Sequence, residues 1–299
     1  MLIAAATRRL VAAACVGAAL LTSGPAARAA EPVDGDHSLR WNPDWPRFRP
    51  VEFAVTAVTG PLAIAMYYML RPQQDPHWVG GILFDDSVRA ALRLRSADEL
   101  RVVRTFADGV GVASVVLVVG VDSMLVPLLR GGADVGVQLS LMDFESFALS
   151  SIVTFSLYDS VGRARPSYVD CQRGGSVDPQ CNTSPTASFP SGHVNEVFTA
   201  ARLSCAHHTR VPLYGTRVAD GLACARDLTL AAADGVLRIM GDRHYLTDVL
   251  AGGAIGFAFG YGVPTLFHYS FHYSGPSLAE LSLAPVGGGA LGMRAVGRF

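Results

Sequence analysis

Residue types that bind and transfer phosphoryl groups fall in three short clusters along the chain. The clusters are Arg163-Ala164-Arg165-Pro166, Pro190-Ser191-Gly192-His193, and Arg238 followed by His244 and Asp248. A guanidinium group binds phosphate oxygens through paired, charge-assisted hydrogen bonds. A serine and a glycine at the start of a predicted helix present free backbone N–H groups and the positive end of the helix dipole. The clusters therefore predict a binding site for a tetrahedral anion.

The two histidines add the groups that phosphoryl transfer requires. His244 and Asp248 are four residues apart, so the carboxylate is expected to hold one imidazole nitrogen and leave the other free to attack. His193 is a second imidazole, able to protonate a leaving oxygen. Taken singly, the clusters are more typical of a helix stop, a helix cap and a surface ion pair. Their ordered combination is what predicts phosphoryl transfer without a metal ion.

The order RP, PSGH and R-x5-H-x3-D resembles the three-part signature of the type-2 phosphatidic acid phosphatase/vanadium haloperoxidase superfamily, over about residues 158–248. The resemblance implies a helical bundle with four phosphate-binding residues: Arg165, Ser191, Gly192 and Arg238. It also implies three catalytic residues: His193 as general acid, His244 as the nucleophile that forms a phosphohistidine, and Asp248 as the residue that orients His244.

Two positions depart from the pattern of that superfamily. Tyr158 stands where the family has Lys, seven residues before the Arg of RP, and Leu237 stands where it usually has Ser. The first change removes a positive charge from the phosphate-binding groups, and the second removes a hydrogen bond. As substitutes, Tyr158 can donate its O–H to a phosphate oxygen and Arg163 can supply the charge.

The apolar pattern predicts helices through the body of the chain, so we expect an all-α bundle with about six core helices. The predicted helical segments are 53–70, 85–106, 110–129, 135–161, 191–208, 217–240 and 245–269. Gly252, Gly256 and Gly260 permit close contact between helices. These segments define a helical phosphatase domain over residues 53–272. The C-terminal tail, residues 273–299, has the pattern of a short β-hairpin.

The N-terminal residues are typical of an export signal. Two arginines, a short apolar run and a small-residue triplet ending at Ala29 predict a secretory signal peptide over residues 1–29. An uncleaved membrane anchor is the alternative, although the apolar run is shorter than the ~20 residues a span needs. Residues 30–52, rich in Pro, Trp and charge, are expected to form an extended arm.

Four cysteines remain after such a cleavage: Cys171, Cys181, Cys205 and Cys224. An even number in an oxidising compartment predicts two disulfides. Cys171 with Cys181 would close a loop, and Cys205 with Cys224 would join two helices. Four free buried thiols are the alternative.

The composition favours a membrane-associated protein. The chain is 50% hydrophobic and 16% charged, and its 24 basic and 25 acidic residues exclude nucleic-acid binding by bulk charge. All 24 basic residues are Arg, which excludes a Lys nucleophile. If three segments cross the membrane, namely 53–70, 110–129 and 135–161, the predicted phosphate site lies in the cytoplasm. The cysteines beside that site instead favour the oxidising side of the membrane. We therefore expect that not every helix crosses the membrane.

The sequence thus predicts an exported phosphatase, needing no cofactor, that hydrolyses phosphomonoesters or pyrophosphates in the periplasm or cell envelope. The resemblance suggests a lipid phosphate such as phosphatidate, or an isoprenoid pyrophosphate, as substrate, with a small phosphoester also open. One alternative is a haloperoxidase that holds vanadate in the same site. Another is a catalytically degenerate envelope protein that only binds phosphates, for which Tyr158 is the main argument.

Overall fold

A computed structural model describes residues 38–69, 75–174, 176–178, 180–181 and 184–270, together with two strands nearer the C-terminus. Within these residues the chain forms eight helices: α1 Pro50–Met69, α2 Asp85–Leu92, α3 Ala97–Leu129, α4 Ala133–Val161, α5 Tyr168–Gln172, α6 Gly192–Arg210, α7 Arg217–Met240 and α8 Leu246–Tyr269. The strands β1 Glu280–Val286 and β2 Ala290–Val296 pair antiparallel. The all-α bundle and the hairpin tail are thereby confirmed.

One predicted helix boundary is wrong. The sequence placed a break between 106 and 110, but the chain breaks at 93–96 and α3 then continues through that region to Leu129. Ser96 precedes the helix, and Asp98 and Glu99 in its first turn favour the positive end of its dipole. Gly109 does not interrupt α3 because helix propensity is a weak effect beside the packing of a continuous apolar face.

The six long helices among the described residues run alternately up and down between two ends. At one end, which we call the site end, Tyr158 near the close of α4 lies against Gly192 at the start of α6. At the other, the distal end, Trp41 packs on Tyr269 at the close of α8. The sequence clusters at 163–166, 190–193 and 238–248 therefore all lie at the site end.

Glycines in α8 set the position of α6. A Cβ on Gly252 would overlap the Ser191 carbonyl oxygen, and one on Gly256 would overlap the carbonyl oxygen of Asn195. The two backbones can approach this closely only because glycine has no side chain. The Ser191 N–H also donates to the Asp248 carbonyl at 2.9 Å. The seam between α6 and α8 thus fixes the start of α6 against the start of α8, where two of the clusters lie.

The segment 38–49 covers the distal end. Leu39 and Trp41 join a buried cluster with Leu139 and Tyr269, and the Phe48 N–H donates to the Gln138 side chain at 2.7 Å. This part of the predicted arm therefore packs away from the three clusters and does not cover them. The predicted signal peptide, residues 1–29, and the first residues of the arm lie outside the described residues.

Both predicted disulfides form. Cys171 of α5 is bonded to Cys181 in the loop that follows, with an S–S distance of 2.04 Å. Cys205 of α6 is bonded to Cys224 of α7 with Cα atoms 4.5 Å apart. The first disulfide holds the loop between α4 and α6, which carries residues of the site, and the second clamps two core helices.

Three helices among the described residues are long and apolar enough to cross a membrane: Pro50–Met69, Ala97–Leu129 and Leu246–Tyr269. Their outward faces are apolar; for example Val58, Phe106 and Leu250 are 66%, 62% and 61% exposed. Such surface favours a lipid environment. The protein is membrane-associated.

The predicted span 135–161 is not among the three helices. It lies within α4, where Asp143 and Glu145 are buried and bond His207 and His268 inside the bundle. Paired in this way, these carboxylates do not face lipid, where a charge would be costly.

Candidate active site

His244 lies in the turn between α7 and α8, and it is 2% exposed. Its Nδ1 is 2.8 Å from the carbonyl oxygen of Ser188. Because a carbonyl only accepts, Nδ1 carries the proton and Nε2 presents a lone pair. Burial, and then the positive charge of Arg165, lower the pKa of His244 well below its ordinary value. The imidazole is therefore neutral at pH 7, as a nucleophile must be.

Asp248 does not bond His244 directly, in contrast to the prediction. Its Oδ2 lies 4.0 Å from His244 Nδ1; it accepts instead from Ser188 Oγ at 2.6 Å and from the Tyr245 N–H at 2.7 Å. The reason is that His244 precedes α8, so the two residues are not one turn apart on a helix, and Asp248 caps the first turn. Asp248 thus holds Ser188, and the Ser188 carbonyl holds His244.

Arg163 cannot supply the charge that the Lys of the family provides; that suggestion is wrong. Its fully buried guanidinium bonds Asp85 at 2.7 Å and Asp248 at 2.6 Å. It is also sandwiched between the rings of Trp78 and Tyr245, 4.0 Å and 4.2 Å from their centroids. Arg163 is therefore neutralised by two carboxylates, and its role is to lock the start of α8 onto the loops.

Arg165 is held at two of its nitrogens by backbone oxygens. Nε donates to the Ser184 carbonyl at 2.9 Å and Nη1 to the Arg243 carbonyl at 3.1 Å. Burial lowers the pKa of Arg165 to about 10. Burial, followed by the charge of Arg165, also lowers the pKa of Arg243 to about 9. The site is thus crowded with positive charge, and an arriving phosphate dianion would relieve the repulsion.

Arg238 lies in the last turn of α7. Its Nη1 donates to Asp108 at 2.7 Å and its Nε to Asp234 at 3.2 Å. Its Nη2 is buried and, among the described residues, has no hydrogen-bond partner. Leu237, the second departure from the family pattern, faces α3 and packs in an apolar cluster with Val103. The change from Ser at that position therefore adds core packing.

Ser191 and Gly192 start α6 as predicted. Within the part of the chain that the structure describes, the buried Ser191 Oγ has no partner. The Gly192 N–H donates to the hydroxyl oxygen of Tyr158, which lies where a Cβ on Gly192 would be. Burial raises the pKa of Tyr158 to about 12, so its hydroxyl stays protonated. Tyr158 thus covers one amide of the helix start and offers its own O–H instead.

His193 lines an open cavity of about 410 Å³ at the site end. Further residues that line the cavity include Met66, Tyr67, Phe155, Tyr158, Asp159, Arg165, Gly192 and Glu196. The side chain of His193 is 51% exposed, and its Nε2 lies 3.9 Å from Asp108. Partial burial in the cavity, and then the charge of Arg238, lower the pKa of His193. A bound phosphate would offset the arginine charge and favour the protonated form.

The structure brings Arg165, Gly192 and His193 together around one cavity. Ser191, Arg238 and His244 are buried and are not among the residues that line it, but the charges of Arg165 and Arg238 contribute to the lowered pKa of His244. The arrangement can bind a tetrahedral anion, attack it with a neutral imidazole and offer a second imidazole for proton transfer.

Sequence reasoning missed four residues that matter here: Ser188, Asp108, Arg243 and Glu196. Asp108 had a signal, since it is an acidic residue just before the apolar segment 110–129. Glu196 also had one, because it falls three residues after His193 on a predicted helix and so shares its face. Ser188 had none, since its role depends on a loop carbonyl.

The fold is a helical bundle, and its site combines positively charged groups that can bind an anion with a buried, neutral histidine. Proteins of this class are suited to phosphoryl transfer. Residues 144–272 match the family model described as the PAP2 superfamily. The match includes all three clusters, and it confirms the resemblance seen in the sequence. The match supports a phosphatase-type function, that of a phosphoester hydrolase.

Among solved structures, the chain is similar to a transmembrane PAP2 type phosphatidylglycerolphosphate phosphatase from Bacillus subtilis. The identity is 16% and the TM-score 0.46, and the match covers 73% of this chain and 96% of that one. Comparison with curated proteins gives no match.

Proposed function

We propose that this chain is an exported phosphatase that needs no metal ion and hydrolyses phosphomonoesters or pyrophosphates through a phosphohistidine at His244. The observation that carries the proposal is the bond between His244 Nδ1 and the Ser188 carbonyl. This bond leaves the lone pair on Nε2, in a site where Arg165 and Arg238 place positive charge around the ring. Such a ring is prepared to attack phosphorus.

The reaction proceeds in two displacements. In the first, the Nε2 lone pair of His244 forms a bond to phosphorus, the bond from phosphorus to the ester oxygen breaks, and the leaving oxygen takes a proton from His193. In the second, His193 accepts a proton from water, the water oxygen bonds to phosphorus and the P–N bond breaks. Inorganic phosphate leaves and His244 is regenerated.

The groups that bind the phosphate are those with unused hydrogen-bond capacity. Ser191 Oγ and Arg238 Nη2 have no partner among the described residues, and the Tyr158 O–H can be donated. Buried donors without partners are costly, so a ligand that satisfies them is bound strongly. Arg243, next to His244 in sequence, adds charge near Arg165 and offsets the missing Lys.

A lipid phosphate is the substrate we favour. Below the cavity, an apolar groove of about 290 Å³ runs between α1 and α4 and is lined by Ile64, Phe144 and Phe147 among others. It shares Tyr67 and Phe155 with the cavity. A hydrocarbon chain would fit this groove while its phosphate occupies the site, because apolar surface favours apolar ligands. Phosphatidate and isoprenoid pyrophosphates have this form.

We further propose that the site faces the periplasm. The disulfide between Cys171 and Cys181 lies in the loop that carries Ser188, and disulfides persist in oxidising compartments. The predicted signal peptide supports export. Trapping the thiols in whole cells before lysis tests this: a reduced Cys171–Cys181 pair in cells would contradict a periplasmic site.

The function is tested by phosphate release from phosphatidate, an isoprenoid pyrophosphate and a soluble phosphomonoester, with EDTA present. Purified protein should release phosphate, and rapid acid-free quenching should trap phosphate on a histidine. His244→Ala should show neither. Full activity in His244→Ala would refute the nucleophile, and loss of wild-type activity in EDTA would refute metal independence.

A phosphate-binding protein without turnover is the second candidate, favoured by the contact of Tyr158 with the Gly192 amide. Phosphate binding by calorimetry, with no hydrolysis of any compound in that panel, would establish it in place of the phosphatase.

A further inference from the structure

Glu196 lies at the junction between the polar cavity and the apolar groove. It lines the cavity of about 410 Å³ that contains His193 and Arg165. It also lines the groove of about 290 Å³ between α1 and α4, together with Phe147 and Phe155. A substrate with its phosphate in the cavity and its tail in the groove would have to pass this side chain.

The Glu196 carboxyl is not used by the fold. The structure gives it no hydrogen bond and no ion pair to any described residue, although it is half-buried. It is three residues after His193 on α6, so the two side chains share a helix face. Burial raises the pKa of Glu196 to about 7, and the charge of Arg238 offsets that rise only in part.

A carboxyl beside a phosphate site needs an explanation, because its charge repels the substrate phosphate. It becomes favourable if the substrate carries a hydrogen-bond donor at that position, since a carboxyl accepts through either oxygen. The position lies between phosphate and tail, which is where the alcohol part of the substrate must be.

We propose that Glu196 accepts a hydrogen bond from a hydroxyl or ammonium group that the substrate alcohol carries close to the ester oxygen. Glu196 thereby selects alkyl phosphates with such a donor over those without one. This proposal rests on the proposed phosphatase function and narrows its substrate class to phosphates of long-chain alcohols that have a neighbouring hydroxyl or amine. Phosphatidate and isoprenoid pyrophosphates lack such a donor, so they are expected to be poorer substrates than lipid phosphates that carry one.

Three probes with one tail length test the selection: dodecyl phosphate, 2-hydroxydodecyl phosphate and 2-aminododecyl phosphate. We expect wild-type kcat/KM to be about 5- to 10-fold higher for at least one donor-bearing probe than for dodecyl phosphate, as one hydrogen bond provides. Glu196→Ala should lower that ratio to about 1. Glu196→Gln, which keeps the accepting oxygen but not the charge, should keep a preference for the hydroxyl and lose one for the amine.

Asp159→Asn is the matched control. Asp159 lines the same cavity but is exposed on α4, so its removal should leave the ratio unchanged. A wild-type ratio near 1, or an unchanged ratio in Glu196→Ala, would overturn the role of Glu196 while phosphate release still supports the phosphatase. If wild-type protein hydrolyses none of the probes or the lipid phosphates, the phosphatase proposal fails, and this inference fails with it.

Discussion

His244 at the site end and His207 at the distal end are both buried, but their rings are held differently. His207 bonds through both nitrogens, with Nδ1 2.7 Å from the Tyr269 hydroxyl and Nε2 2.9 Å from Asp143. Among the described residues, His244 bonds only through Nδ1. The distal ring is therefore fixed as part of the core, whereas the ring at the site end keeps one nitrogen available.

Two arginines at the two ends differ in a similar way. Distal Arg226 bonds Asp122 at 3.0 Å and Asp227 at 2.8 Å, but Arg238 at the site end leaves the buried Nη2 without a partner in the described chain. Buried polar groups are normally satisfied. Among the described residues, unsatisfied buried atoms also occur at the distal end, for example Asp143 Oδ2 and Ser123 Oγ. The candidate active site is therefore distinguished by an unsatisfied arginine donor and serine hydroxyl in the same region as a buried histidine with one unbonded nitrogen.

The largest difference is expected between alanine substitutions of the two histidines. His244→Ala should lower kcat at least about 10³-fold, because it removes the attacking nitrogen. His207→Ala should leave kcat within about threefold in the folded fraction and destabilise the protein by about 1–3 kcal/mol, since it leaves Asp143 unpaired. Phosphate release and thermal unfolding of both variants measure this. Comparable kcat losses in the two would remove the functional distinction between the ends.

The next largest effect on kcat is expected from the relay to His244, by which we mean the contact of Asp248 with Ser188 and of the Ser188 carbonyl with His244. Ser188→Ala removes the hydroxyl that Asp248 holds at 2.6 Å but keeps the carbonyl that holds His244. We expect kcat to fall about 10- to 100-fold with little change in KM, as for residues that orient catalytic groups. Ser146→Ala is the control, because Ser146 is a buried serine bonded within α4. An unchanged kcat in Ser188→Ala would show that Asp248 acts on His244 without this relay.

Two tyrosine hydroxyls provide a smaller test. Tyr158→Phe removes the O–H offered to phosphate and should raise KM about 5- to 10-fold. Tyr269→Phe removes the hydroxyl that bonds His207, and should cost about 1 kcal/mol of stability with KM unchanged. Initial rates over a range of substrate concentrations, and unfolding curves, separate the two outcomes. A lower KM in Tyr158→Phe would show that the hydroxyl blocks the Gly192 amide.

The sequence predicts the helices and the three clusters because their patterns are local. The glycines of α8 and the pairing of Cys171 with Cys181 follow from spacing in the same way. Long-range geometry is what the sequence does not contain. Arg163 and Arg165 are two residues apart and of the same type, yet Arg163 is neutralised by Asp85, 78 residues away in sequence, and Arg165 is not. Likewise, Asp248 does not hydrogen-bond His244 because α8 begins after His244, and the sequence did not show where α8 begins.

The smallest expected effect is a difference in how stability depends on pH at the two ends. Burial alone would lower the pKa of His208, but the carboxylates of Asp122, 3.4 Å from its Nε2, and of Asp220, hydrogen-bonded to its Nδ1, outweigh burial and raise it. Its contribution to stability is therefore full below about pH 6.5, the unfolded value, and is lost as the pH rises through the higher folded pKa. The pKa of His244 is lowered, so its contribution is present above about pH 6.5 and is lost on acidification.

Denaturant unfolding of His208→Gln and His244→Gln, each from pH 5.5 to pH 9, measures this difference. The destabilisation caused by His208→Gln should be larger at pH 5.5 than at pH 9, because the charged His208 pairs with two carboxylates only at the lower pH. His244→Gln should show the opposite trend, since glutamine avoids the cost of protonating a buried ring beside Arg165 in acid. Parallel trends in the two variants would mean that the ends do not differ electrostatically, and that partner geometry alone separates the active site from the core.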